Sequence, residues 1–437
     1  MADAPRSAPP SDVDVAIVGA GVAGLACAAR LREQCASLRV AVFEAGSRIG
    51  GRACPVSVGP FHADAGAGWI HGVDGNPLLE DGVLTAEDVV PCTEGNIWTS
   101  GPGVGDSTNF HPTEEETARW ERRLAAVAKA DAAAPEGEPI DLPAVLRSTG
   151  EAWGPADERL LRGLEMWFGA AAGRLAAGDM TRGSQLGDFP GPHAIVRGGM
   201  ALVAERLLQR AGGAAAVQLR ADVQALEEDE GGVVLRLAME GGPAAVRARW
   251  VVCTAALGVL QRGQPAVEPP LPPEIRRAVE TLQMSRYCKC FLALPEDVAR
   301  GLPTWTWTDH ALFPMAFNYY ALKGVPLVSC NSIDLSVGAM EDAAVLEQAL
   351  AALDVDASTV VAHHVTRWHA EPRFGGSYSF SPRGCDFTEI DSFVDAMAGR
   401  RLLFAGEHTH DEHQGSVHGA YLSGLRAAEE LLARARG

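Results

Sequence analysis

The sequence predicts an α/β fold in which a mainly parallel sheet alternates along the chain with a second, α+β unit. A short apolar run over residues 15–18 is followed by a glycine-rich turn and a helical segment that ends near Leu31. A second apolar run, over residues 40–43, then ends on the acid Glu44. Strand, helix and strand in this order form a parallel βαβ unit. With 437 residues the chain also exceeds the size of a single hydrophobic core, so we expect two domains.

The turn after the first strand reads GAGVAG over residues 19–24. Gly19 lets the chain turn tightly, Gly21 removes the side chain that would hold a pyrophosphate off the backbone, and Gly24 lets helix and sheet pack closely. The phosphates then meet free N–H groups at a helix N-terminus. Glu44 lies 20 residues after Gly24, where its carboxylate can accept hydrogen bonds from an adenosine ribose. These features predict a Rossmann-like dinucleotide-binding domain rather than a turn without a ligand.

Composition and charge narrow the classes of function. The 37 basic and 56 acidic residues give a net charge of −19, which disfavours nucleic acid and anionic membranes as partners and attracts small cations. The same charge could also serve solubility alone. No stretch offers the apolar length of a membrane span, and no signal peptide is recognised. The nine cysteines lack CxxC spacing, so we expect reduced thiols, a cytoplasmic location and no metal.

Two motifs after the acid extend the predicted cofactor site. Residues 44–52 read EAGSRIGGR and residues 64–77 read DAGAGWIHGVDGNP. Gly51 permits close backbone approach, while Arg48 and Arg52 supply planar donors for phosphate and ribose oxygens. The motifs resemble those of the flavin-dependent amine oxidase family, and WIHGVDGNP is most similar to its polyamine oxidase branch. A nicotinamide dehydrogenase has no use for this second glycine–arginine motif, so the resemblance implies FAD in a glutathione-reductase-like domain, with Gly68 and Trp69 among its contacts.

Further cofactor contacts are implied in the second half of the chain. Val223, followed by the block TAALGVL at residues 254–260, resembles the family's closing strands and would contact adenine through its backbone. The segments RLLFAGEHT and GSVHGA resemble a second flavin motif. There Glu407 would lie over the ribityl chain or pyrophosphate. A helix N-terminus at Ser416 and Val417 would point at the pyrimidine edge, where N–H groups stabilise negative charge on the reduced flavin.

Lys289 and two aromatic residues are implied in catalysis. The alternation in MSRYCKCFLAL points Lys289 into the interior, where a lysine is costly unless it is used or paired. The resemblance places Lys289 beside the flavin N5, holding a water; the alternative is a solvated lysine on an edge strand. Trp368 and Tyr378, in TRW and GGSYS, resemble the aromatic walls in front of the flavin ring, a slot suited to an amine. By spacing alone they would be core aromatics.

His71 and Glu165 are candidate residues for substrate specificity. The histidine of WIHG is shared with animal polyamine oxidases and would bond a distal amine; its alternative role is a structural hydrogen bond. Glu165, in LEMWFGA, resembles a block of plant polyamine oxidases and would hold a second ammonium group. The following residues, GAAAG, replace the acids expected there and depart from the polyamine oxidase pattern.

The motifs divide the chain into five segments. We expect an FAD-binding domain over residues 1–75, 195–280 and 397–437, and a substrate-binding domain over residues 76–194 and 281–396. The implied reaction oxidises a C–N bond by hydride transfer to flavin N5, with imine hydrolysis and reduction of O2 to hydrogen peroxide, as in a polyamine oxidase. Two alternatives stay open: an oxidase of a monoamine, amino acid or biosynthetic amine, and a module that binds basic peptides, as flavin-containing histone demethylases do. The expected partners are a small cationic amine and O2, and the expected assembly is a monomer or homodimer.

Overall fold

A computed structural model describes residues 10–92, 112–135, 138–178, 189–385 and 388–436. The strands in this part of the chain are β1 (Asp12–Val18), β2 (Val40–Glu44), β3 (Pro55–Val58), β4 (Phe61–Asp64), β5 (Val89–Pro91), β6 (Ala194–Val196), β7 (Val217–Leu219), β8 (Ala221–Asp229), β9 (Gly232–Met239), β10 (Ala244–Cys253), β11 (Ala266–Glu268), β12 (Gln283–Met284), β13 (Cys288–Ala293), β14 (Trp305–Trp307), β15 (Met315–Asn318), β16 (Leu327–Ser332), β17 (Ala362–Val365), β18 (Ser379–Phe380) and β19 (Leu402–Phe404). The α-helices are α1 (Val22–Gln34), α2 (Pro77–Glu80), α3 (Glu114–Ala133), α4 (Leu142–Arg147), α5 (Pro155–Phe168), α6 (Ala201–Arg210), α7 (Leu257–Leu260), α8 (Pro273–Thr281), α9 (Glu296–Gly301), α10 (Tyr320–Lys323), α11 (Asp342–Leu353), α12 (Thr388–Asp395) and α13 (Val417–Arg436).

The described residues form two compact units. Unit 1 contains the residues up to Ala53, then 201–280, then those from Thr388 on; unit 2 contains the segments between them. The first boundary comes earlier than the expected residue 75, because strand β3 packs against β13 and β17 of unit 2. The second follows β6, since β6 pairs with β5. The third follows residue 280, and the fourth precedes α12, because α12 packs against β19.

Unit 1 is built on a mainly parallel sheet. In the described ranges this sheet has eight strands, in the order β11-β8-β9-β10-β1-β2-β7, with β19 also pairing with β10. Central strand β1 runs parallel to β10 and β2, and its Ile17 lies opposite Val252 and Val42. Val15, Ala16 and Ile17 are fully buried, as expected for a parallel strand covered on both faces. The α/β prediction is confirmed, and helix α1 runs to Gln34 rather than ending at Leu31.

Unit 2 contains an antiparallel sheet and a group of helices. The sheet has five strands within the described residues, in the order β14-β15-β16-β13-β17. Because β13 pairs on both sides, Lys289 does not lie on an edge strand, and that alternative is wrong. Helix α5 ends at Phe168, because Gly169 adopts a left-handed conformation with φ of 73°. None of the helices in the described ranges is long and apolar enough to cross a membrane.

Candidate active site

The glycine turn of unit 1 has the geometry of a phosphate cradle. A Cβ on Gly24 would overlap the carbonyl oxygen of Gly19, so this close approach requires glycine. Gly19 has a φ of +99°, a conformation that favours glycine. Gly21 is the N-cap of α1, and nothing lies within 4 Å of the position that its Cβ would occupy. The open space above Gly21, in front of a helix N-terminus, fits a pyrophosphate group.

Glu44 fastens the end of β2 to the glycine turn. One carboxylate oxygen accepts a hydrogen bond from the Ala20 N–H at 2.8 Å, and the other accepts from the Gly46 N–H at 2.7 Å. Each oxygen has a second lone pair that can accept a bond from a ribose hydroxyl. The acid is therefore oriented before any ligand binds.

Residues that are far apart in the sequence meet at the second glycine–arginine motif. Arg48 donates to the carbonyl oxygens of Ile49 and Gly51 at 3.0 and 2.7 Å and so folds its own loop. Arg52 donates to Glu407 Oε1 at 2.8 Å, although the two residues are 355 positions apart. The other oxygen of this buried carboxylate accepts from the Gly415 N–H at 2.9 Å. The two sequence motifs thus form one structure within unit 1.

The N-terminus of α13 is capped by Ser416. The Ser416 hydroxyl accepts a hydrogen bond from the Gly419 N–H at 2.9 Å and donates to the His413 carbonyl at 2.8 Å. A Cβ on Gly424 would overlap the carbonyl oxygen of Ala23, so α13 packs closely against the first turn of α1. Val417, the residue after Ser416, is buried. Val223 is also buried, and it lies next to an irregularity in the pairing of β8 with β9.

Three consecutive backbone carbonyls of unit 2 hold two of the predicted catalytic residues. Lys289 Nζ donates to the oxygens of Asp64 at 2.9 Å and Gly66 at 2.6 Å. Trp368 Nε1 donates to the oxygen of the intervening Ala65 at 3.1 Å. Burial lowers the pKa of Lys289 to about 8, so its charge is sensitive to pH near neutrality. The DAGAG segment therefore organises this part of unit 2.

The residues that follow Asp64 in this segment also shape the site. A Cβ on Gly68 would lie 3.5 Å from Lys289 Nζ, so a larger side chain would crowd the ammonium group. Trp69 stacks on Trp305 with ring centroids 5.3 Å apart and meets the edge of Phe317 at 4.7 Å. In this fold Trp69 thus contacts the aromatic core of unit 2.

Tyr378 and His71 lie near the C-terminal end of α5. The Tyr378 hydroxyl donates to the carbonyl of Trp167 at 3.3 Å. The Trp167 ring contacts His71 and His193 with centroid distances of 4.8 and 5.6 Å, and the two imidazoles are 5.4 Å apart. Burial lowers the pKa of His193 to about 4, so this ring is neutral near neutral pH. The sequence indicated no role for Trp167, although this residue lies in the LEMWFGA block. His193 was missed because it stands in no recognised motif.

Glu165 is engaged by its own backbone. Its Oε1 accepts a hydrogen bond from the Ala172 N–H at 2.8 Å, which ties the short 3-10 turn Ala172–Arg174 to α5. Burial raises the pKa of this carboxyl group. The expected ammonium-binding role of Glu165 stays a prediction. In the described ranges, no three His, Cys, Asp or Glu side chains are grouped so that they could hold a metal ion.

The chain is similar to known amine oxidases along almost its whole length. The family model "flavin containing amine oxidoreductase" matches residues 22–432. Polyamine oxidase 1 of Oryza sativa subsp. japonica is 30% identical, over 97% of this chain and 98% of the relative. Lysine-specific histone demethylase 2 of Homo sapiens is 25% identical over 96% of this chain, but this chain spans only 53% of that protein.

Solved structures of putrescine oxidase share the fold. The wild type bound to putrescine is 20% identical, with a TM-score of 0.75 over 97% of this chain and 99% of that chain. A double mutant with redesigned cofactor binding has a TM-score of 0.76 over 98% of this chain and all of that chain, at 20% identity.

The family match confirms a flavin-dependent amine oxidase. Flavins bind proteins as mono- or dinucleotides, and the glycine turn, Glu44 and parallel sheet of unit 1 are those of a dinucleotide-binding fold. The cofactor is therefore FAD, as predicted. The chain belongs to the flavin-containing amine oxidoreductase family.

Proposed function

We propose that this protein is a polyamine oxidase, which cleaves a C–N bond of a di- or polyamine and yields an aldehyde, an amine and hydrogen peroxide. The observation that carries the proposal is the arrangement of Lys289 and Trp368 on consecutive carbonyls of the DAGAG segment. The rice relative, which is named a polyamine oxidase, supports the substrate class.

Unit 1 would hold the cofactor. The turn at Gly19, Gly21 and Gly24 would bind the pyrophosphate and Glu44 the ribose, since these groups present N–H donors and carboxylate acceptors to the matching ligand atoms. The remaining predicted contacts fit FAD as well: they supply donors, a carboxylate and a helix N-terminus, at Arg48, Gly51, Arg52, Glu407, Ser416 and Val417. When bound, FAD supplies the hydride acceptor and the route by which electrons reach O2.

Unit 2 would bind and orient the amine. The indole N–H of Trp368 and the hydroxyl of Tyr378 each donate a hydrogen bond to a backbone carbonyl, which restrains both rings. Aromatic faces attract ammonium groups and also pack against neutral amines. Lys289 has one N–H left after its two carbonyl bonds and would hold a water with it. The amine must lose its proton before hydride can leave the neighbouring carbon.

An amine with a single nitrogen is a second candidate substrate. One observation favours it: Glu165, the acid expected to hold a second ammonium group, already accepts a backbone N–H, and burial raises its pKa. The rings of His71, Trp167 and His193 pack together near the end of α5, and burial lowers the pKa of His193 to about 4, so that ring is neutral near neutral pH. The peptide-binding alternative is not favoured, because the histone demethylase is less similar to this chain than the polyamine oxidase is. The demethylase is also about twice as long as the region that the two proteins share.

The proposed setting is the reducing cytoplasm. Cys27, Cys253 and Cys330 are buried as thiols, and burial raises their pKa values, which suits a compartment without disulfide formation.

A panel of amines tests the proposal directly. Purified yellow protein is mixed without oxygen with spermine, spermidine, putrescine, acetylated polyamines, monoamines and amino acids, and loss of the flavin colour is followed. We expect polyamines or putrescine to bleach the flavin fastest and peroxide to appear when O2 is admitted. Bleaching by monoamines alone would favour the second candidate, and a protein that no amine bleaches would contradict both.

A further inference from the structure

Lysine is rare in this chain, and two of its three lysines surround one buried carboxylate. Among 37 basic residues only Lys129, Lys289 and Lys323 are lysines. Lys129 is exposed on α3, whereas Lys289 and Lys323 lie in unit 2 and both interact electrostatically with Asp64. Arginine keeps its charge in almost every environment, but a buried lysine can lose its proton. Two of the three lysines of this chain therefore interact with the one buried carboxyl group of Asp64.

The geometry brings the Asp64 carboxylate within Coulombic range of Lys289. Lys289 Nζ and Asp64 Cβ lie 3.5 and 3.6 Å from the same point, the Cβ position of Gly68, so they are at most about 7 Å apart, the sum of the two distances. The Asp64 side chain is buried, with the residue only 4% exposed, and its Oδ1 accepts the Met200 N–H at 2.8 Å. When the Asp64 carboxyl group is ionised, its charge is thus fixed in a medium of low polarity, where Coulombic interactions are strong.

Lys323 shares the same carboxylate. Its Nζ donates to the carbonyl of Val196 at 2.7 Å, in the segment that leads to Met200. Both lysines therefore bond neutral carbonyls, and Asp64 is the acid whose charge favours their protonated forms. Burial raises the pKa of Asp64, whereas the Met200 N–H and the charges of Lys289 and Lys323 act to lower it.

We propose that Asp64 is a positioning residue whose charge keeps Lys289 protonated. The same charge also acts on Lys323, so the two lysines compete for one carboxylate. The inference rests on the proposed function only in that protonated Lys289 would hold a water during amine oxidation. Asp64 makes no contact with substrate in this scheme and acts through Lys289.

Other titratable groups near this cluster leave its balance unchanged near neutral pH. Tyr319 is buried, which raises its pKa, and the charge of Asp64 raises it further, so the phenol stays neutral. Burial lowers the pKa of Lys323, and the charge of Arg197 lowers it further. The groups of this cluster whose charge responds to pH are therefore the two lysines, whose pKa values burial lowers, and Asp64, whose pKa burial raises.

Carbon NMR can follow each lysine separately, because the chain has only three. Protein labelled with ¹³C at the lysine ε-carbon is titrated with pH, and the signals are assigned with Lys129→Arg and Lys323→Met variants. In Asp64→Asn, whose amide oxygen can still accept the Met200 N–H, we expect the Lys289 midpoint to fall by roughly 1.5 pH units. This is the interaction of unit charges about 8 Å apart at an effective dielectric constant near 20, since the carboxylate lies one bond beyond Cβ. The Lys323 midpoint falls too, and Lys129 does not move.

Two further variants keep the inference testable. Asp309→Asn removes an exposed acid of unit 2 and should move none of the three midpoints. Lys323→Met removes the second cation near Asp64, so the Lys289 midpoint should rise, and an unmoved midpoint overturns the inference if Asp64→Asn fails to fold by circular dichroism. An unmoved Lys289 midpoint in every folded variant overturns the inference.

The same titrations separate this inference from the proposed function, because they need neither substrate nor turnover. If Asp64→Asn lowers the Lys289 midpoint while the pH profile of flavin reoxidation is unchanged, Asp64 has the inferred role and the proposed role of Lys289 fails. If both shift together, both are supported.

Discussion

Asp157→Asn is expected to destabilise unit 2 strongly, because it removes the charge that neutralises a buried arginine. The side chains of Arg123 and Asp157 are both fully buried, and Arg123 Nε donates to Asp157 Oδ1 at 3.0 Å. Arg119 donates to the other oxygen, also at 3.0 Å. The remaining N–H groups of Arg123 donate to other acceptors in the neighbouring loop and helix: Leu146 O, Thr149 Oγ1, Glu151 O and Ala152 O.

The size of the effect follows from this burial. Removing one partner of a buried ion pair costs about 3–5 kcal/mol, because the other charge stays in a medium that does not solvate it. Asparagine also places an NH2 group where a carboxylate oxygen accepted a guanidinium N–H, so we expect a loss of about 4 kcal/mol in the free energy of unfolding. The control is Asp309→Asn, since the Asp309 side chain is 84% exposed and its pair with Arg159 contributes no more than about 1 kcal/mol.

Denaturant unfolding followed by tryptophan fluorescence measures this loss. Trp153 is a local reporter, because the guanidinium of Arg123 lies 4.9 Å from its ring centroid. A loss in Asp157→Asn no larger than in Asp309→Asn would refute the reasoning. Burial acts to raise the pKa of Asp157, but hydrogen bonds from Arg119 and Gly154 outweigh it and the pKa is lowered. The contribution of Asp157 is therefore present above its ordinary value of 3.8 and lost as pH falls through the lower folded value.

Three further predictions concern function. Lys289→Met should keep its flavin but slow reoxidation by O2 about 10²-fold, as loss of one preorganised donor does, whereas Lys129→Met should reoxidise normally in stopped-flow absorbance. Gly24→Ala should be isolated with little flavin, because the added Cβ meets the Gly19 carbonyl, while Gly301→Ala, with open space at its Cβ, keeps the ratio of flavin to protein. The rate of anaerobic flavin reduction should rise with pH as the bound amine loses its proton, and a rate that stays flat from mildly acid to alkaline pH would count against hydride transfer from a neutral amine.

Much of the cofactor unit could be predicted because its signals are local. The spacing from Gly19 to Glu44 encodes a strand, a turn, a helix and a second strand, and each depends on neighbouring residues. Alternation around Lys289 likewise predicted an inward side chain. The end of α5 at Phe168 was not predicted, because it depends on the left-handed conformation of Gly169. Three of the four expected domain boundaries were also displaced, since strand pairing and packing decide which unit a segment joins.

The sequence by itself determined the family, the cofactor and the order of the elements around the glycine turn, because these follow from residue types at short spacings. Only the tertiary structure decided that Arg52 bonds Glu407, that His193 contacts His71, and that Asp64 lies close to Lys289. These contacts join residues that are distant along the chain. Such residues meet only through sheet register and the packing of elements, and short-range patterns in the sequence do not contain that information.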